Sequence, residues 1–137
     1  MPIELEVLSP RGIAWKGVAE FVSFRTEKGA IGFLPSRAPA IMKLSVDVVT
    51  IVSDKGKKVL AVHGGFMINT REYAQIISGF IERPEDIDLN EAKEAARRAE
   101  ELIRMTEDER ERARHSAALQ KNLTRIRAIE GSSSLRG

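Results

Sequence analysis

Residues 73–103 read YAQIISGFIERPEDIDLNEAKEAARRAEELI, and the chain changes its period inside that stretch. Tyr73 to Ile81 reads as the last of a series of strands, closed by Arg83-Pro84. Beyond it, Leu89, Ala92, Ala96, Ala99 and Ile103 fall at intervals of 3, 4, 3 and 4 residues, which is one stripe of an α-helix. Asp86 or Asp88 can cap that helix, and Glu91 stands three residues after Asp88, where a capping box places its acid. No glycine or proline interrupts residues 85–130. The stretch 107–114, EDERERAR, has no apolar face, so the spacing predicts a turn over Thr106 to Glu109. A second helix follows, with Leu119, Leu123, Ile126 and Ile129 or Glu130 on one side. Gly131 is expected to end it, leaving 132–137 as a disordered tail.

Upstream of the switch the period is two. Ile3, Leu5 and Val7 alternate with Glu4 and Glu6, a strand with one buried face. Residues 18–25 read as a second strand and Ile31 to Leu34 as a third. Residues 44–52 form a β-branched run, and Asp54-Lys55-Gly56-Lys57 turns the chain back into Val59 to His63. Gly64-Gly65 should break or bulge that strand before Phe66 to Asn69 continues it. Short strands punctuated by turns predict an antiparallel sandwich or barrel. The expected class is therefore α+β: a β-domain over 1–84 that folds on its own, a helical hairpin over 85–131, and the tail.

Composition removes several functions. The chain has 137 residues, 22 basic and 20 acidic, for a net charge of +2, so it does not carry the basic excess of a nucleic-acid binder. Aromatic residues make up 5%, too few for base-stacking platforms. It has no cysteine and only His63 and His115, which excludes thiol chemistry and argues against a zinc site. Phosphate-loop, dinucleotide and nucleophile-elbow signatures do not occur. His63-Gly64-Gly65 looks like an oxyanion loop but has no nucleophile elbow to serve. The opening MPIELEVLSP is acidic where a signal peptide is basic, and no long apolar run predicts a membrane span.

Three motifs then point to a family. Residues 29–39, GAIGFLPSRAP, resemble the GxxGxLPxHAP segment of the epsilon subunit of F-type ATP synthases. His63-Gly64-Gly65-Phe66 is similar to that family's GGF strand, and Ile87-Asp88-Leu89-Asn90-Glu91-Ala92 to its helix-start motif (I/L)DxxRA. Arg98-Ala99-Glu100 and Ala117-Ala118-Leu119, with Lys121 and Arg125 after them, fall where the family has its two helices. The resemblance runs in order over residues 2–130. It implies a sandwich of about ten short strands and a C-terminal helical hairpin. It also implies a non-catalytic central-stalk subunit whose sandwich binds the gamma subunit and the c-ring, coupling proton translocation to ATP synthesis. By the same resemblance the hairpin can extend along gamma to the alpha and beta subunits and inhibit ATP hydrolysis. The implied location is peripheral, on the cytoplasmic face of the energy-coupling membrane, without direct membrane insertion and without nucleic acid. A free-standing adaptor for another assembly, built on the same surfaces, is the alternative.

Two departures from the family pattern matter. Arg37 replaces the histidine of the Leu-Pro loop, and Glu91 replaces the arginine that faces the nucleotide in ATP-binding members. The remaining nucleotide candidates are Asp88, Ala92, Arg97 or Arg98, Lys121 and Arg125, so ATP binding is expected to be weak or absent; no metal or other cofactor is implied. Arg110, Arg112, Arg114, Lys121, Arg125 and Arg127 are the cations that the resemblance assigns to contact with the catalytic subunits. Without a partner, such residues form a solvated face laced by pairs such as Glu94–Arg98 and Glu100–Arg104.

Overall fold

A computed structural model describes residues 3–33 and 39–136, with the side chains of 30–33 and 133–136 left out. Leu34 to Ala38, and with them Pro35 and Arg37 of the Leu-Pro loop, lie outside the described residues. Eight strands appear among the described residues, not about ten: β1 (Ile3–Ser9), β2 (Gly12–Ala19), β3 (Phe21–Thr26), β4 (Gly29–Phe33), β5 (Ala40–Ser53), β6 (Gly56–Asn69), β7 (Tyr73–Ile77) and β8 (Ile81–Glu82). They pair in the order β2-β1-β7-β6-β5-β3-β4, with β8 added to β6.

The spine is the hairpin of β5 and β6, each 14 residues long, paired from Ala40↔Asn69 to Ser53↔Gly56. Its β-branched run is long enough to serve both layers. One part of β6 pairs with β7, while β5 pairs with β3, so the path wraps over a shared interior. That interior holds Leu5, Val7, Val22, Phe24, Ile51, Leu60, Val62, Met67 and Ile76, all buried.

Several sequence expectations change at the layer crossings. Residues 18–25 are two strands rather than one. Ala19 pairs with Ile3 and Phe21 with Val52, and at Glu20, whose N–H donates to Val52 O at 2.8 Å, the chain passes from one layer to the other. The run Tyr73 to Ile81 is likewise split. Ser78 N–H donates to Leu8 O at 3.0 Å, and the chain leaves β7 to join β6 as β8. The sandwich is also not wholly antiparallel, because β1 and β7 run parallel. Gly64-Gly65 does not end its strand. The ladder keeps its register from Val46↔His63 to Leu44↔Gly65, with both glycines at positive φ, 82° and 115°. A Cβ on Gly65 would sit 2.1 Å from Ile77 O, so only glycine lets β6 pass β7 there.

A 3-10 turn over Pro84–Asp86 leads to α1 (Leu89–Met105) and α2 (Glu109–Arg136). Asp88 is the cap: its Oδ1 accepts from Glu91 N–H at 3.1 Å. Ala92, Ala96 and Ala99 are the buried residues of α1, as the stripe predicts. The end of α2 departs from expectation. Gly131 is internal to the helix, which continues through 132–136 instead of giving way to a tail. A Cβ there would lie 3.6 Å from Val59 Cγ1, so the helix runs flush along β6 at the position read as its stop.

Gly65→Ala combines a left-handed backbone with a backbone clash and should cost more than about 4 kcal/mol or abolish folding. Gly12→Ala, at φ 118° but with open space, should cost about 1–3 kcal/mol. Urea unfolding of the two variants checks the difference.

Candidate functional site at the seam of sheet and hairpin

Strand β6 is apolar on both faces over 59–62. Leu60 and Val62 face the sandwich core, and Val59 and Ala61 join Ile87, Ala92 and Ala128 in a second cluster under the hairpin. Val48, Ile126 and Ile129 edge that cluster, half-buried. The hairpin touches the sheet mainly through α2, with α1 riding on α2. Leu119 and Leu123, expected on the apolar side of α2, are only half-buried. Among its described residues the buried positions are Asn122, Thr124 and Ala128. Thr124 Oγ1 donates to Val46 O at 3.4 Å, and Asn122 Nδ2 donates to Ala118 O at 2.8 Å.

Two charged clusters pin α2 to the sheet. In the first, Arg125 Nε lies 3.0 Å from Glu82 Oε1, with both side chains about nine-tenths covered, at 12% and 11% exposed. The Nε–H does not point at that oxygen, so this is an ion contact rather than an aligned hydrogen bond. The rest of the guanidinium donates to Asn122 Oδ1 at 3.2 Å and to the Glu91 carboxylate at 3.3 and 3.5 Å. Glu82 Oε1 is shared with His63 Nε2 at 3.1 Å. The His63 ring stacks on Phe80, centroids 5.0 Å apart, and Lys121 Nζ lies 5.2 Å from the Phe80 centroid. One cluster thus joins β6, β8, α1 and α2. In the second, Asp47 of β5 lies between Arg25 Nε at 3.0 Å and Arg127 Nη2 at 3.4 Å.

His63 is held below its ordinary pKa, chiefly by burial and then by the positive charges of Lys121 and Arg125, against the raising pull of Glu82. A carboxylate oxygen only accepts, so Nε2 carries the proton in the contact with Glu82. Nδ1 is then bare, buried and without a hydrogen-bond partner among the described residues.

The candidate site residues fall into three groups. Lys121, Arg125 and Arg127 all lie at the seam, Arg125 and Arg127 paired with Glu82 and Asp47 of the sheet and Lys121 over Phe80 in the segment before β8. Asp88 is occupied as a helix cap and Ala92 is packed in the second cluster, while Arg98 is exposed. Arg110, Arg112 and Arg114 are exposed on the first turns of α2, where Arg114 approaches Glu111 at 3.8 Å. The expected Glu94–Arg98 lacing is replaced by Arg97, which bonds Glu94 and, at 2.6 Å, Glu101. Sequence reasoning missed His63, Glu82 and Asp47. The available signal was an ionisable residue ending the run Val59 to Val62, but its partners lie 19 and 62 residues further on in the chain.

The family model described as "ATP synthase, Delta/Epsilon chain, beta-sandwich domain" matches residues 2–84, and "ATP synthase, Delta/Epsilon chain, long alpha-helix domain" matches residues 85–130. The chain is 32% identical to the ATP synthase epsilon chain of Shouchella clausii over 124 residues, 90% of this chain and 92% of that one. It is 36% identical to that of Thermotoga petrophila over 102 residues, 74% and 94% of the two chains. Among solved structures, its fold matches a chain of the Euglena gracilis mitochondrial ATP synthase with a TM-score of 0.81 at 18% identity, covering 96% of this chain and 81% of that one. A chain of the Tetrahymena thermophila mitochondrial ATP synthase central stalk and c-ring matches with a TM-score of 0.56 at 9% identity, covering 97% of each.

Arg125→Ala strands the buried Glu82 carboxylate and should cost about 3 kcal/mol or more. Lys121→Ala removes only a cation over a ring and should cost about 0.5–1 kcal/mol. Hydrogen exchange along α2, compared with denaturant unfolding of the whole chain, measures both and shows whether the loss is local to the hairpin.

Proposed function

The chain belongs to the ATP synthase delta/epsilon chain family, a non-catalytic part of that machine, and we propose that it is the coupling and regulatory subunit of the central stalk. On this reading the sandwich binds the gamma subunit and sits on the c-ring, so that proton translocation turns the catalytic machinery. The hairpin leaves the sandwich to reach the alpha and beta subunits and restrains ATP hydrolysis. The subunit is peripheral, on the cytoplasmic face of the membrane. Among the described residues no helix is long and apolar enough to cross a membrane. The Euglena and Tetrahymena assemblies whose chains this fold matches include the c-ring, which supports this assembly for the present chain.

The observation that carries the regulatory part is the make-up of the seam. Of the five buried residues in the second cluster, three are alanines, Ala61, Ala92 and Ala128. Each methylene removed from water is worth about 0.8 kcal/mol, so alanines hold the hairpin weakly. Most of the specificity of docking then rests on Glu82–Arg125 and Asp47–Arg127, contacts a competing acidic surface can replace. A partner can shift such a balance between two states. Extended as one rod from Leu89 to Arg136 at about 1.5 Å per residue, the hairpin would span roughly 70 Å.

Lys121, Arg125 and Arg127 serve both states, holding the sandwich when docked and meeting acidic catalytic subunits when extended. Arg110, Arg112 and Arg114 are exposed while the hairpin is docked, so they separate the two roles. Replacing these three together by alanine should relieve inhibition of ATP hydrolysis in the reconstituted catalytic complex without loosening the hairpin. The relief should shrink at high salt, since exposed pairs are weak and screened. Unchanged inhibition at low salt counts against the reading.

ATP is a weak ligand at most in this proposal. Glu91 accepts from Arg125, so a phosphate would have to displace one carboxylate and sit beside it. At about 5 Å and an effective dielectric near 20 that costs about 3 kcal/mol. Calorimetric titration should find millimolar affinity or none for the wild type and tighter binding for Glu91→Arg. Micromolar binding by the wild type sinks the charge argument.

A further inference from the structure

We propose that His63 is a proton-operated latch on the hairpin, which stays docked while the ring is neutral and is released when the ring takes a second proton. The inference rests on the mobile hairpin proposed above and adds what sets its position.

The geometry is specific to the docked state. His63 belongs to the sandwich, on β6, and its side chain is 8% exposed. From β8 it faces Glu82, whose Oε1 it shares with Arg125. From the segment before β8 it meets the Phe80 ring, and its own N–H donates to Phe80 O at 3.1 Å. From α2 it faces Lys121, across Phe80, and Arg125. From α1 only Glu91 approaches, through Arg125, and that carboxylate is 61% exposed. Opposite on β5 is Val46, and the neighbouring Asp47 is taken by Arg25 and Arg127.

A second proton would go to Nδ1. In the docked state that atom is buried with no acceptor among the described residues, so its new N–H would have no partner. The imidazolium would also be a third cation beside Lys121 and Arg125, around one buried carboxylate. Once α2 lifts away, both competing cations leave with it, water reaches Nδ1, and Glu82 stays beside the ring as an anion for His63 alone. The released state therefore binds the proton more tightly than the docked one.

Linkage fixes the sign. Docking holds the His63 pKa down, so docking is at full strength above the ordinary histidine range near pH 6.5. It weakens as pH falls through that value toward the docked one. One proton limits the response to about tenfold in the docked-to-released ratio per pH unit.

The chain has no cysteine, so Lys57→Cys and Met105→Cys, both at exposed positions, give a unique pair for fluorescence energy transfer in the full-length protein. Between pH 7.5 and 5.5 transfer should fall with a one-proton slope. In His63→Gln, which can still donate to Glu82 but cannot titrate, it should stay flat. A wild type that does not respond, or a His63→Gln protein that responds like it, overturns the latch. Ring titration by nuclear magnetic resonance, with His115 as the second signal, needs no substitution at the site. A His63 titrating at or above the ordinary value while transfer stays high also overturns it. The double variant Asp47→Asn, Glu82→Gln separates the two proposals. If it lowers transfer at pH 7.5 while the wild type ignores pH, only the latch fails. If neither changes transfer, the mobile hairpin fails as well.

Discussion

Burial of β6 on both faces is the constraint from which the rest of the architecture follows. A strand covered on one side alternates apolar and polar residues, but Val59, Leu60, Ala61 and Val62 are consecutive and all buried. The sandwich alone cannot satisfy that sequence, because Val59 and Ala61 point away from its interior. In the docked state α2 covers that outer face with Ala128 and the flush passage of Gly131. The same strand carries Gly64-Gly65 at positive φ, and the bare Cα of Gly65 admits the end of β7 and so closes the other layer. Sheet order and hairpin position thus both depend on one strand.

The two sides of β6 are unequal in a way that bears on function. On the inner side Leu5, Ile51, Met67 and Ile76 bring large side chains into full burial. On the outer side the helices bring only alanines into full apolar burial, with Ile126 and Ile129 half-buried at the edge and a covered asparagine and threonine beside them. Removing the inner contacts means unfolding the domain, whereas removing the outer ones means exposing a smaller apolar cluster of alanines with Val59, Ile87 and the edge isoleucines, and rehydrating two charged clusters. The fold therefore places its weak boundary at the seam, and places its titratable and ionic residues on the same boundary.

What could be read from the sequence follows from the range of each interaction. The switch of period near Pro84, the Asp88 cap and the alanine face of α1 are local, decided within a few residues, and the structure bears them out. The strand boundaries at Glu20 and Ser78 were not legible, because each is set by a change of partner strand distant in sequence. Gly131 carried a correct local signal with the wrong outcome. It keeps helical backbone beside Val59, where even a Cβ would fit at ordinary contact distance, so the packing of α2 on β6 and not the residue's own preference decides where the helix ends. At the candidate site, Lys121, Arg125 and Arg127 stood out as cations, but their counterparts Glu82 and Asp47 were masked among ordinary surface charges. Nothing in one-dimensional spacing shows that His63 and Arg125 share an oxygen.

That shared oxygen ties the local chemistry to the larger reading. Glu82 Oε1 has two claimants, a ring of the sandwich and a guanidinium of the hairpin. While His63 is neutral the claims are compatible, since a hydrogen bond from a neutral donor leaves the negative charge for Arg125. Desolvating the ionic pair costs several kcal/mol per ion unless the geometry returns it, and the poorly aligned Nε–H shows that the return is incomplete. A pair in that condition contributes little net stability but a large dependence on its neighbours: a proton, a competing carboxylate or a change in hydration each alters a balance already near zero. An apolar seam of the same area would be firmer and insensitive to all three. Retaining charge at a weak boundary thus gives up docking strength in return for response, which suits the mobile hairpin we propose.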